Sequence, residues 1–331
     1  MNVFLIGGTG FTGPPLIRQL LEHGHDVTFL HRGQTHDKRT AGAREIIADR
    51  KNLSQLSHAI AHASPDVVVD MIPFIADDAE TTRRACRSFV PRVVALSSID
   101  VYLAFGRIQN TEPGPLQPTP LTEESALRET DQPNGPKIDK IAVERCYLQD
   151  AEPAATILRL PAIYGARDKY RRFRSYLKRM DDGRHTILLG ETIAGWKFSR
   201  GYVDNVAHAI ALAVENNRAA GETFNVAEPQ AMTELEFVRA IGEAAGWHGE
   251  ITVLPDAALP QSLQTPVNFA QNWDVDTRKI RTRLGYSEIV DPREAIRRTV
   301  EWERADPPEV EPFELHYDEE DEALAAHQAS T

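Results

Sequence analysis

Three glycines near the start, Gly7, Gly10 and Gly13, constrain this chain more than any other feature. They fall in Gly7-Gly8-Thr9-Gly10-Phe11-Thr12-Gly13, a GxxGxxG spacing. The apolar run Val3-Phe4-Leu5-Ile6 precedes them, and Leu16, Ile17, Leu20 and Leu21 follow at helical spacing until Gly24 closes the helix. A glycine turn between a buried strand and a helix is a cradle for a pyrophosphate. Glycine permits the tight turn, its missing Cβ lets backbone N–H groups approach the anion, and the last glycine lets the helix pack close to the sheet. The helix N-terminus then favours negative charge. The strand-before, helix-after context separates this pattern from a chance glycine cluster. It predicts a dinucleotide site built on Gly7, Thr9, Gly10, Phe11, Thr12 and Gly13.

The runs that follow support the same reading. Val27 to Leu30, Glu45 to Ala48, Asp66 to Asp70, Arg92 to Leu96, Thr156 to Leu160 and Glu222 to Val226 read as strands. They are continuous and rich in β-branched residues, which implies strands buried on both faces. Helical stretches fall between some of them, marked by Leu53, Leu56 and Ile60 and by Ile138 to Leu148. The expected fold is α/β: a doubly wound parallel sheet of Rossmann type with a smaller C-terminal substrate lobe. We expect the nucleotide domain over 1–165, with contributions from about 201–227, and the lobe over 166–200 and 228–302. Thr233 and Glu236 form a capping box at the start of a lobe helix. The last helix is expected near Pro292 to Trp302, with an acidic tail over 303–331. Residues 106–136 carry Pro113, Pro115, Pro118, Pro120, Pro133 and Pro136 and read as one long loop.

Charge narrows the function classes. The net charge is −12, and 301–331 supplies −10 of it through eleven acids against Arg304 alone. The other 300 residues sum to −2, with no basic stripe of the kind that duplex binding needs, so a nucleic-acid partner is not expected. The acidic tail reads as a solvated segment. The densest basic stretch, Arg167 to Arg174, reads as a solvated helix face or, less simply, as a grip on an anionic substrate. Only Cys86 and Cys146 occur, which leaves no disulfide framework and no cysteine-based zinc site. His185, His208 and His248 are scattered, so no metal is expected. The chain opens on a strand rather than on a signal-like segment, and no apolar run approaches the roughly 18 residues that span a bilayer. The expected compartment is the cytoplasm, with no membrane partner.

Which dinucleotide binds is set by the tip of the second strand. Phe29-Leu30-His31-Arg32-Gly33 carries no acid for the adenosine ribose hydroxyls. A guanidinium suits a 2′-phosphate through bidentate bonds, so Arg32 favours NADP, with NAD as the alternative.

With these motifs in hand, the chain resembles the extended, epimerase/dehydratase-like branch of the short-chain dehydrogenase/reductase superfamily. The resemblance rests on Gly7 to Gly13, on Leu96-Ser97-Ser98-Ile99-Asp100-Val101-Tyr102, on Arg159-Leu160-Pro161-Ala162-Ile163-Tyr164-Gly165, and on Gly201 to Ala207 with Gly221 to Val226. These run in family order over about residues 1–302. The resemblance implies Asp49 near the adenine, Met71, Ile72 and Pro73 along the cofactor, Lys140 on its nicotinamide ribose, and Pro161 as a further cofactor contact. The His31-Arg32-Gly33 turn and the Trp196 to Val206 stretch are similar to chloroplast stem-loop-binding-protein-like members, some of which associate with RNA.

The family's chemistry, as the resemblance implies it, uses a serine, a tyrosine and a lysine, the last two spaced YxxxK. The phenol moves the proton, the ammonium lowers its pKa and the serine orients the substrate oxygen. Ser98 and Lys140 occupy the serine and lysine positions. Four residues before Lys140 stands Pro136, which cannot transfer a proton, and Lys137, Ile138 and Asp139 supply no phenol. Three readings stay open. Tyr102, Tyr164 or, more weakly, Asp100 replaces the tyrosine; the register in the proline-rich loop is shifted; or the protein binds cofactor without redox catalysis. The expected activity is an atypical NAD(P)-dependent oxidoreductase, epimerase or dehydratase on a small carbonyl or nucleotide-sugar substrate. The alternatives are a cofactor-binding regulator and an RNA-associated relative. Arg167, Arg172, Lys197 and Arg200 are candidates for gripping an anionic substrate, and a homodimer is a further expectation.

Overall fold

The computed structural model describes residues 1–87, 89–129 and 138–330. Pro133, Pro136 and Lys137 therefore lie outside the described residues. In chain order the nucleotide domain runs β1 (Asn2–Ile6), α1 (Gly13–Glu22), β2 (Asp26–His31), β3 (Arg44–Ile47), α2 (Leu53–Ala63), β4 (Val67–Asp70), α3 (Ala76–Cys86), β5 (Arg92–Ser98), α4 (Leu103–Ile108), α5 (Lys140–Leu148), β6 (Ala154–Leu160). The chain continues through β7 (Ala162–Tyr164), α6 (Arg174–Asp181), β8 (Thr186–Gly190), α7 (Glu191–Ala194) and β9 (Arg200–Tyr202), and returns to the main sheet with α8 (Val203–Glu215) and β10 (Thr223–Asn225). The chain ends with α9 (Glu234–Ala245), β11 (Glu250–Leu254), α10 (Arg278–Leu284), α11 (Pro292–Ala305) and α12 (Tyr317–Ser330).

Seven strands form one parallel sheet in the order β10-β6-β5-β4-β1-β2-β3. Val67, Val68, Val69, Val93 and Val94 are buried because helices cover both faces. One apolar layer joins Leu16, Ile17 and Leu20 of α1 to Val206 and Ile210 of α8. The other joins Leu56 and Ile60 of α2 to Ala79 of α3 and Val143 and Tyr147 of α5. A parallel sheet puts all its carboxyl ends on one edge. That edge collects Gly7, Arg32, Met71, Ser98 and Pro161, and the strand order reverses at β1, the place where sheets of this kind bind their ligands. Among the described residues, no helix is long and apolar enough to cross a membrane.

The C-terminal lobe holds two small parallel pairs, β7 with β9 and β8 with β11. Its core is aromatic: Tyr164 stacks on Phe173 at 5.3 Å, and Phe173 meets Phe237 edge-on at 5.1 Å. The Thr233 and Glu236 capping box forms as expected at α9. Helices α3 and α4 are among the elements that the sequence did not announce. Helix α3 is mostly polar, and it buries little apolar surface beyond Ala79, Ala85 and Cys86. Helix α4 lies at the entry of the proline-rich loop, which is pinned further on by Leu121 pairing with Asp274 and Asp276.

The expectation of a solvated acidic tail is corrected. The segment after α11 crosses the lobe and ends in α12. Arg174 pairs with Glu311, Arg184 pairs with Asp321, and Arg179 donates to Glu320 at 2.6 Å. Glu320 is 1% exposed. Leu324 packs beside Leu188 and Leu254. The physical reason is charge: α6 and the turn after it carry arginines that would otherwise be buried without partners, and the tail supplies the carboxylates. The basic stretch Arg167 to Arg174 is corrected with it, because Arg171 donates to Glu303 at 3.0 Å and lies over the Trp302 ring. Removing one member of a buried pair costs about 3–5 kcal/mol, so Glu320→Ala is expected to lose that much in urea denaturation. A solvated tail residue would change stability by under about 0.5 kcal/mol.

Candidate active site

The cradle is built by steric necessity. Gly7 has φ +87° and donates its N–H to the Leu30 carbonyl at 2.8 Å. A Cβ on Gly13 would sit 2.2 Å from the Gly8 oxygen, so no other residue fits there. A Cβ on Gly10 would meet nothing within 4 Å: the crest of the loop faces open space. The first turn of α1 carries Pro14 and Pro15, which have no N–H, and the Gly13 N–H is engaged by Gly10 O at 3.2 Å. The anion donors therefore come from the loop itself, and the backbone of Thr9 to Thr12 fits a pyrophosphate. Thr9 and Thr35 share a hydroxyl bond of 2.6 Å across the cradle.

Arg32 is exposed at the tip of β2 and makes no ion pair among the described residues. His31 beside it bonds Glu45 at 2.5 Å. With His36 these two place three ligand-type atoms within 4.8 Å, a grouping the sequence reading did not single out. Asp49 is exposed after β3 and caps the Lys51 N–H at 3.0 Å.

Its neighbour Arg50 is a residue the sequence reading missed. Arg50 is buried and donates to both oxygens of Asp70, at 2.7 and 2.8 Å, and to the Ile72 carbonyl at 2.9 Å. Asp70 is fully buried and also accepts from Thr82 at 3.1 Å and Tyr147 at 2.6 Å. This cluster shapes Met71, Ile72 and Pro73. Ile72 contacts the cradle, 3.4 Å from where a Gly7 Cβ would stand.

Lys140 opens α5 and is 8% exposed. Its Nζ donates to the carbonyls of Pro73 at 2.7 Å and Leu96 at 2.9 Å, and lies 5.2 Å from the centre of the Phe74 ring. Burial pulls its pKa down to about 8, against the opposing pull of Asp70 and Asp100. Ser98 ends β5 two residues beyond Leu96 and is half-buried; its Oγ accepts from the Asp100 N–H at 3.4 Å. The carboxyl edge thus brings the ends of β4 and β5 to Lys140.

The phenols come out differently. Tyr102 is fully buried, donates to Asn225 at 2.6 Å and accepts from Arg159 at 2.9 Å. Burial pushes it up to about 12. Arg159 is itself held by Glu144 at 2.8 Å, which accepts from Ser97 at 2.5 Å. Tyr102 is part of this buried network, with its hydroxyl engaged on both sides. Tyr164 is buried in the lobe core and donates to Glu228 at 2.6 Å; burial raises Glu228 to about 7.

A second missed feature is an aromatic wall. Phe105, Trp273, Phe198 and Trp196 stack in sequence at 4.7, 5.0 and 4.8 Å. Trp273 Nε1 donates to the Ile99 carbonyl at 3.2 Å, one residue past Ser98. The rings come from distant segments, so no local spacing announced them. Of the expected anion-gripping cations, Arg172 pairs with Asp168 at 2.8 Å, Arg200 pairs with Glu234 and covers the Phe237 ring at 3.7 Å, and Arg167 reaches Asp37 at 3.3 Å. Lys197 is exposed.

A nucleotide cradle on the first βα turn, a parallel seven-stranded sheet and a lysine at its carboxyl edge define a dinucleotide-dependent enzyme class. The model of the NAD dependent epimerase/dehydratase family matches residues 3–227, and the chain belongs to that family. It is 28% identical to the 2′-dehydrokanamycin reductase of Streptomyces kanamyceticus over 83% of this chain and 76% of that protein. Its fold matches the UDP-glucose 4-epimerase of Thermotoga maritima, solved with UDP-glucose, with a TM-score of 0.68, 18% identity and coverage of 92% and 99%. It also matches the UDP-glucose-4-epimerase of Stenotrophomonas maltophila, solved with NAD and formylated UDP-arabinopyranose, with a TM-score of 0.72, 17% identity and coverage of 92% and 98%. Members of the family use NAD(P).

The site predicts a stability effect. The Lys140 ammonium is held below its ordinary pKa of 10.5, at about 8. Between those values the unfolded chain binds the extra proton, so stability rises with pH across that window and the penalty is fully present below it. At about 1.36 kcal/mol per pKa unit, that penalty is on the order of 3 kcal/mol. Lys140→Met is expected to raise the urea midpoint at neutral pH and to flatten its rise between neutral pH and about pH 10. An unchanged midpoint and slope would show that the charge carries no such penalty.

Proposed function

We propose that this protein is an NADP(H)-linked reductase that acts on a small carbonyl substrate. The observation that carries the reading is Lys140, buried between the carbonyls of Pro73 and Leu96 beside the strand that ends in Ser98. A buried ammonium without a carboxylate partner is expensive, and such groups cluster where chemistry is done.

Thr9 to Thr12 hold the pyrophosphate, Arg32 the 2′-phosphate, and Met71, Ile72, Pro73 and Pro161 line the rest of the cofactor. NADPH, when bound, supplies a hydride. Ser98 orients the substrate oxygen by hydrogen bonding, and the wall of Phe198 and Trp273 excludes water from one side. The reductase among the relatives favours carbonyl reduction over epimerisation. A nucleotide sugar is the weaker substrate reading, because Arg167, Arg172 and Arg200, the expected grips for a diphosphate, already face Asp37, Asp168 and Glu234. The same pairing weighs against an RNA surface. The reading as a cofactor-binding regulator draws on the absence of a phenol before Lys140 and on the engagement of Tyr102 and Tyr164 in buried hydrogen bonds.

Titration with NADPH and NADH, wild type beside Arg32→Ala, tests the cofactor assignment through nicotinamide fluorescence. A charged hydrogen bond is worth about 1.5–3 kcal/mol, or roughly ten- to a hundredfold in affinity. NADPH is expected to bind tighter by that factor, and the gap is expected to close in the variant. Equal binding of both nucleotides would assign NAD instead, and binding of neither would overturn the reductase reading.

A further inference from the structure

We propose that Lys140 itself hands the proton to the substrate oxygen, in the place a phenol holds in most of this family. The inference rests on the reductase reading and deepens it.

Pro136 removes the phenol that would stand four residues before Lys140. The two candidate phenols are committed: Tyr102 lies between Asn225 and Arg159, and Tyr164 is bonded to Glu228 in the lobe. Beside the Ser98 hydroxyl and the Asp100 carboxylate, the described residues of the carboxyl edge hold one ammonium, with three protons. Two are donated to the neutral carbonyls of Pro73 and Leu96. No carboxylate lies within ion-pairing distance of Nζ among the described residues. The charged groups that face it do so from further away: Asp70 from β4, Asp78 from α3, Asp100 from the turn after β5, and Arg50 from the loop after β3. The ring of Phe74, itself exposed, flanks the ammonium. An ion pair would hold the proton; carbonyls and a ring leave it transferable. Burial brings its pKa to about 8, close to neutral pH, where a general acid is most effective.

The step balances simply. The carbonyl carbon gains a hydride from the reduced nicotinamide nucleotide, which is thereby oxidised by two electrons. The C=O π pair moves to oxygen, the oxygen takes the Nζ proton, and an alcohol forms. Lys140 is left as a neutral amine and recovers its proton from water.

Competitive trace acetylation with acetic anhydride over pH 6–11, read by mass spectrometry on the Lys140 peptide of the full chain, tests the acid directly. Exposed Lys51 serves as the internal reference. Lys140 is expected to reach half its maximal reactivity near pH 8, well below Lys51, and NADPH is expected to slow its labelling. NADPH oxidation with 4-nitrobenzaldehyde and a panel of cyclic ketones gives the second readout. There kcat/KM is expected to fall above the pH at which Lys140 titrates, and Lys140→Arg to lose about 10²–10⁴-fold while still binding NADPH. Labelling of Lys140 in step with Lys51, or no labelling at any pH, overturns the inference, since the amine would be either ordinary or out of reach. So does full turnover in Lys140→Arg, or a comparable loss in folded Tyr102→Phe. Failure of the wild type to bind NADPH, or to reduce any probe while binding it, overturns the reductase reading itself.

Discussion

A carboxylate with no access to water organises the active edge of this protein. Asp70 ends β4 fully buried, and a buried charge is tolerated only when its oxygens are satisfied. Arg50, Thr82 and Tyr147 satisfy them. Those residues come from the loop after β3, from α3 and from α5, so one side chain ties three helix-face elements to the central strand. The chain beyond Asp70 must then turn through Met71, Ile72 and Pro73, which places the Pro73 carbonyl where Lys140 uses it. The Asp70 cluster and the lysine are parts of one arrangement: Tyr147 sits on the same helix as Lys140, two turns along.

The polar groups of this edge divide into those already committed and those left available. Glu144, Arg159, Ser97, Tyr102 and Asn225 form a closed chain of hydrogen bonds behind β5 and β6. Closed networks of this kind rigidify the backbone they touch. In front of them stand Ser98, Lys140 and the exposed Arg32. The aromatic wall completes the picture from the lobe side, because Trp273 is fastened to the Ile99 carbonyl and moves with the end of β5. Rigid support behind and free donors in front are what a preorganised site requires.

The lobe solves a different electrostatic problem. Helix α6 and its flanks are rich in arginine, and the C-terminal arm is rich in acid. Folding brings them together through Glu303, Glu311, Glu320 and Asp321. The net charge of the chain is unchanged by this, but its distribution is: cations that looked like a binding surface become internal partners. Arg171, Arg174 and Arg179 of the basic stretch and its helix are thereby spent on partners within the protein.

How much of this was legible in the sequence follows the range of the interactions. The strands, the glycine turn, the capping box at Thr233 and the opening of α5 near Lys140 are set by neighbours a few residues apart, where periodicity and backbone sterics act. They could be read directly, and the carboxyl edge of a parallel sheet then had to gather Gly7, Arg32, Ser98 and Pro161. Helix α3 was hidden because its buried stripe is small, and α12 because its anchoring residues are acidic rather than apolar. Arg50 with Asp70, Tyr102 with Asn225, Arg179 with Glu320 and the Trp273 stack join residues far apart in the chain. Whether a phenol, a guanidinium or a carboxylate is spent in the core or left for chemistry depends on desolvation and on which partner arrives across the fold. No local pattern carries that information, so the sequence by itself determined the scaffold and the cofactor loop, and only the tertiary structure decided which polar groups remain available.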